Sequence, residues 1–299
     1  MLNKEILIKY FEDGITEKGH EKIGTEHEKF VFNKNDYSLI PYRGEQSISA
    51  LLESFIQDDW KPKYEGDNII ALTKENASIT LEPGGQFELS GAPLVTIHET
   101  CREINNHLQF VKSIEEKMNI GFLGVGFLPI EKLDVVPHVP KKRYSEIMRP
   151  YMKKLGGLGL DMMHRSCTVQ ANFDYISELD MKKKIMVSAA LQPIVTGLFA
   201  NSPFLEGQLN GFQSYRGYVW TKTDNDRTGI LRSMVGENFS FEEYVDYALK
   251  VPVYSIIRDG NYINCLDYNF EDLMNNKSHE IKAEDITLDD WTDHLSTIF

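Results

Sequence analysis

An α+β protein built around an antiparallel sheet is the fold this sequence predicts. Three observations carry the prediction. Short strand-like runs separated by tight turns fill residues 68 to 90. A long helical repeat follows, in which Ile97, Cys101, Ile104, Leu108, Val111, Ile114 and Met118 recur at spacings of three and four. Strands and helices elsewhere alternate without the regular rhythm that builds a parallel sheet.

The opening MLNKEILIKYFEDG reads as an amphipathic helix ending near Gly14 or Gly19, too charged for a signal core. A strand is expected over Thr25 to Phe32 and a helix over Ser47 to Ile56. Strands are expected at Asn68 to Leu72, Ser78 to Glu82 and Gln86 to Ser90, with turns at Lys74–Asn76 and at Pro83-Gly84-Gly85. Thr96 with Glu99 is a capping-box pair that opens the long helix. Gly121 to Pro129 reads as a strand, Pro137 to Pro140 as a loop, Tyr144 to Leu155 as a helix interrupted by Pro150, and Ser166 to Phe173 as a strand. The apolar stretch Met186 to Ala200 is too short and too polar to span a membrane and is expected as a buried core helix. Ser240 with Glu243 opens a further capped helix. No repeat or linker interrupts the 299 residues, so a single domain is expected over 1–299.

Composition narrows the function. The net charge of −13 disfavours a nucleic-acid partner, which needs a basic face to replace counterions. No membrane partner is expected either. Three scattered cysteines, Cys101, Cys167 and Cys265, form no CxxC pair and suit a reducing compartment. With no leader recognised, a bacterial cytoplasmic location is expected. The sequence has no phosphate-loop, nucleophile-elbow or HExxH motif.

What remains are carboxylates in strands. In a strand through Gly24 to Phe32, Glu26, Glu28, Phe30 and Phe32 share one face. If that face is inside, its charges need a compensating partner such as a divalent cation; an exposed strand end in water is the alternative. Glu82 and Glu88 flank the Pro-Gly-Gly break, where a surface turn is again the alternative. Four such carboxylates on neighbouring strands would make a hard-oxygen site suited to Mg²⁺. Cations gather at Lys141, Lys142, Arg143 and Arg149, and again at Arg216, Lys222 and Arg227. Arginine holds carboxylates and phosphates bidentately; Lys141 and Lys142 are expected in solvent. His164 reads as structural or exposed, and Cys167 as a small buried residue.

The segments IGTEHEKF, LEPGGQFELSGAPL, GFLGVGF, LGLDMMHRSCTVQANFD, ALQPIVTGLFANSPF, TDNDRTG and VDYALKVP, in this order along nearly the whole chain, resemble the plant and proteobacterial type of glutamate–cysteine ligase. The resemblance implies a glutamine-synthetase-like antiparallel sheet forming a bowl for ATP, glutamate and two or more Mg²⁺ ions. It implies metal-binding roles for Glu26, Glu28, Glu82 and Glu88, and a place near the nucleotide for Gln170 and Arg227. Arg143 and Arg216 are implied to hold the substrate glutamate, with Glu26, Glu28 and Arg216 closest to the chemistry. The implied reaction joins the glutamate γ-carboxylate to the cysteine amine through a γ-glutamyl phosphate, the first step of glutathione synthesis. A related ligase with another acceptor amine, or an inactive member of the fold, are the alternatives. The family's sequence continues past Phe299, so a missing C-terminal part of the catalytic domain is expected. Cys101 and Cys265 resemble single members of two regulatory pairs, and no disulfide within the chain is expected.

Overall fold

The computed structural model describes residues 1–299. One long strand, β1 (Ile23–Asn33), organises the main sheet. Strands β2 (Lys61–Glu65), β3 (Asn68–Lys74), β4 (Ala77–Leu81) and β5 (Phe87–Ser90) stack beside it in chain order. On its other edge β1 pairs with two strands in succession. Strand β6 (Ile120–Leu123) takes Phe30 to Asn33, and β7 (Val169–Phe173) takes Ile23 to His27. All these pairings are antiparallel, so the α+β expectation holds.

The two sheet faces differ in kind. Residues opposite one another in register share a face. His27 lies opposite Leu89, Lys29 opposite Phe87, and Phe87 opposite Leu81. This face packs on α2 (Ile48–Phe55) and α3 (Ile97–Met118), burying Leu51, Leu52, Phe55, Val111 and Ile114 with Leu81, Phe87 and Leu89. The other face carries Glu26, Glu28, Glu88, Thr80 and Gln170.

The helices start where capping chemistry supplies acceptors. Asn3 caps α1 (Lys4–Asp13), Ser47 caps α2, and Thr96 with Glu99 closes a reciprocal capping box on α3. A π-helical turn, Arg143–Met148, leads into α4 (Arg149–Leu155), and α5 (Gly159–Arg165) runs up to β7. Next come α6 (Glu178–Leu198), a small hairpin of β8 (Phe204–Leu205) and β9 (Gln208–Leu209), and α7 (Tyr215–Trp220). A second core joins α1 to α8 (Phe241–Lys250), the hairpin β10 (Ser255–Arg258) and β11 (Asn261–Asn264), α9 (Phe270–Met274) and α10 (Leu288–Leu295). Leu7, Val245, Phe270 and Trp291 meet in it without solvent exposure.

Two local expectations fail. The strand expected over Gly121 to Pro129 stops at Leu123. Beyond it Gly126 N–H turns to the side chain of Asn201 at 2.8 Å, and only Phe127 bridges back to Ser166. The buried helix expected over Met186 to Ala200 forms as part of α6 but has no buried residue. Val187, Leu191, Ile194 and Leu198 are between 45% and 74% exposed. A stretch this short does not span a membrane, and its apolarity does not specify what covers the helix. No helix of the chain is long and apolar enough to cross a membrane.

Candidate active site

The acidic face of the sheet is built by strand register. Glu28 stands directly opposite Glu88, and Glu26 opposite Gln170. Side-chain donors order the group. Glu88 accepts from Thr80 Oγ1 at 2.8 Å and from Ser90 Oγ at 2.7 Å. Glu28 accepts from the Thr168 backbone N–H at 3.0 Å, and Glu26 from Asn172 Nδ2 at 2.9 Å. Glu82, one residue past the core-facing Leu81, emerges on the same side as Glu88.

Packing these acids together disfavours their charged forms. Burial, then repulsion from Glu82 and Glu88, pushes the Glu28 carboxyl up to about 9. Burial and then Glu88 lift Glu82 to about 7, although Lys141 and Arg143 pull it back. Burial also raises Glu26, against the hydrogen bond from Asn172. The donor set contains only carboxylate oxygen, the chemistry of a hard divalent cation, and Arg216, Lys141 and Arg143 offset its charge only in part. As arranged here, no three histidine, cysteine or acidic side chains lie close enough together to hold one ion in common.

A cleft of about 970 Å³ opens beside the sheet, lined by Glu28, Gln170, Arg216, Trp220, Thr196 and Phe299 among others. Arg216 enters from α7. Its guanidinium lies over the Trp220 ring, 5.4 Å from the centroid, and its Nε has no partner. Burial lowers its pKa while Glu28 raises it. Arg216 is the one arginine or lysine among the residues that line the cleft, so it is the cation available there to an anion.

The structure thus brings Glu28, Gln170 and Arg216 to one cleft, with Glu26 and Glu88 on the adjoining strand positions. Arg143 stands apart from that lining. It donates to Ser296 Oγ at 3.3 Å and acts electrostatically on Glu82 from the other end of the acidic face. Arg227, expected beside a phosphate, is fully buried and engaged within the chain. It pairs with Asp224 at 2.7 Å, donates to Thr297 Oγ1 at 3.0 Å and to the Pro252 carbonyl at 2.8 Å, and lies 3.9 Å above the Tyr254 ring. Lys141 also departs from expectation. Rather than extending into solvent, it donates to the Leu81 carbonyl at 2.8 Å, next to Glu82. No periodic pattern around Lys141 signals this. Asn172, not among the residues expected at the site, alternates with Gln170 on one strand face, and that alternation is the signal for it. His164 is buried and accepts from Arg149 Nε at 3.2 Å, and Cys167 is buried as expected.

Comparison with known proteins assigns the family. Residues 22–299 match the model described as glutamate-cysteine ligase family 2. The chain is 53% identical over 299 residues to the chloroplastic glutamate–cysteine ligase of Nicotiana tabacum, covering 100% of this chain and 56% of that protein. The corresponding protein of Medicago truncatula is 52% identical, with 58% of it covered, and that of Arabidopsis thaliana 50%, with 56% covered. The chain belongs to the glutamate–cysteine ligase family. It spans a little over half the length of the curated relatives it matches. The expected bacterial cytoplasmic location is overturned by these relatives, which are named chloroplastic.

Proposed function

We propose that this chain carries the site at which a glutamate–cysteine ligase joins the γ-carboxylate of glutamate to the amine of cysteine at the expense of ATP. The observation that most supports this reading is the acidic sheet face of Glu26, Glu28 and Glu88 opening beside Arg216 in a cleft large enough for a nucleotide and an amino acid. The donor set fits Mg²⁺. Glu26, Glu28, Glu82 and Glu88 would hold two or more such ions, which when bound supply positive charge to the nucleotide phosphates.

The chain's own residues would then act by positioning and charge. Arg216 takes a carboxylate of glutamate, and Arg143 adds positive potential at the far end of the acidic face. Gln170, exposed on β7 and donating to Asn172 at 2.8 Å, offers an amide to the nucleotide side. A γ-carboxylate oxygen attacks the terminal phosphorus of ATP, and ADP leaves with the electrons of the broken P–O bond. The cysteine amine attacks the resulting acyl phosphate, phosphate departs, and the amine proton passes to solvent. Neither step needs an enzyme nucleophile, which agrees with a site of carboxylates and arginines.

The test is phosphate release from ATP with Mg²⁺ and glutamate, with and without cysteine, alongside mass detection of γ-glutamylcysteine. Cysteine-dependent product is the expected result. Product with another amine but not cysteine would replace the acceptor. ATP bound without turnover would leave a binding fold, and absence of ATP binding would overturn the site.

A further inference from the structure

The Pro-Gly-Gly turn between β4 and β5 is held by a residue with no assigned role, Gln86. The turn closes on itself through Glu82 N–H to the Gln86 carbonyl at 3.0 Å and Gly85 N–H to the Glu82 carbonyl at 2.9 Å. The Gln86 side chain is 1% exposed, so its amide must find partners inside the protein. Its Oε1 accepts from Gly84 N–H at 2.8 Å. Its Nε2 donates to the carbonyls of Met163 at 3.2 Å and Ser166 at 2.9 Å, using both protons. The turn is thereby clamped to the end of α5. Contact there is close: a Cβ on Gly84 would lie 2.3 Å from the His164 carbonyl oxygen.

Both ends of this clamp lead to acidic side chains. On the turn side, Glu82 precedes Gln86 by four residues and Glu88 follows it by two. On the α5 side, the chain continues from Ser166 through Cys167 to Thr168, whose N–H holds Glu28 at 3.0 Å. We propose that Gln86 is a positioning residue that sets the spacing between the carboxylates of the β4–β5 turn and those of β1, and so the affinity of the site for a divalent cation. It touches neither substrate nor ion. The inference rests on the metal-binding reading of these four carboxylates.

The test is Mn²⁺ binding to the purified chain, followed by electron paramagnetic resonance of the free ion, in the parent, Gln86→Met, Gln86→Asn and Val245→Ala. Methionine keeps the length of glutamine but leaves both carbonyls unpaired. Asparagine keeps the amide and shortens its reach. Val245→Ala opens a hole in the second core, remote from the clamp, and controls for a general loss of stability. The expected result is a Mn²⁺ affinity about tenfold or more weaker in Gln86→Met, the scale seen when partners of ligating residues are removed. Gln86→Asn should fall between, and Val245→Ala should match the parent. If Gln86→Met does not fold, Gln86→Asn decides alone: an affinity within twofold of the parent overturns the proposal. Equal weakening by Val245→Ala also overturns it. A parent that binds no Mn²⁺ overturns the metal-binding reading and this inference together, whereas a parent that binds, with both Gln86 variants binding as well, overturns the positioning role alone.

Discussion

Neutralising Glu28 should make the metal-free protein more stable at pH 8. In the fold its carboxyl is pushed up to about 9, by burial first and then by Glu82 and Glu88; its ordinary value is 4.5. A group whose pKa is raised on folding contributes stability that is fully present below pH 4.5 and is lost progressively as pH rises toward 9. At pH 8 the span above 4.5, at 1.36 kcal/mol for each pH unit, caps that loss at roughly 5 kcal/mol. Glu28 is partly exposed and can relax away from its neighbours, which brings the expected gain on Glu28→Gln to about 2 kcal/mol. Glutamine is isosteric, and its carbonyl keeps the hydrogen bond from Thr168 N–H. For a chain of this size that gain corresponds to a rise in Tm of about 4 °C. Thermal unfolding followed by circular dichroism in EDTA at pH 5, 6.5 and 8 would measure it. The gap should be widest at pH 8 and close toward pH 5. A variant that melts at or below the parent at pH 8, or a gap unchanged at pH 5, would refute the argument.

Three further outcomes follow from the same structure. Arg227→Met should lower stability by about 3–5 kcal/mol in urea titrations, because it strands the buried Asp224 without its cation; Asp224→Asn added to it should recover part of the loss. Arg216→Ala should cut kcat/KM for glutamate by about 10- to 100-fold, the worth of a charge-assisted contact, with Arg216→Lys falling between because it keeps charge without the fork. His107 is buried neutral against Phe87, its pKa depressed from 6.5 to about 3, so the stability it contributes above pH 6.5 is lost as pH falls toward 3. His107→Phe should flatten that acid limb, by about 2 kcal/mol at pH 5 in denaturant melts.

Period and capping made much of the fold legible. The alternation through Glu26 to Phe32 placed two acids and two phenylalanines on one face, and the structure keeps that face, with Phe30 buried beside Glu28. The Thr96–Glu99 box located the start of α3 at Ile97. Register was not legible: that Glu28 meets Glu88 depends on the pairing of β1 with β5, strands more than fifty residues apart in the chain, and Gln86, which holds the β4–β5 turn, reads as an ordinary polar residue in the sequence. Partners distant in the chain were equally hidden. The pairing of Arg227 with Thr297 spans 70 positions and buries an arginine that the sequence places in a loop. For α6 the sequence specified a helix correctly, yet apolarity alone could not tell a covered helix from an uncovered one.

The central place of β1 also decides which changes of length the chain can tolerate. Its first half is pinned between β5 and β7 and its second half is held by β6, so the strand has no free edge along which to slide. Deleting one residue within this strand would exchange the faces of every side chain on one side of the cut, turning acids toward α2 and α3 or core-facing residues into the cleft. The turn at residues 34–37 and the turn at Glu75–Asn76 lie outside this constraint, whereas Leu39 bridges to Phe32 and Ile40 is buried in the core. Changes of length in natural variants or engineered libraries should therefore collect in those two places, while the segment from Ile23 to Asn33 keeps its residue count even where its side chains change.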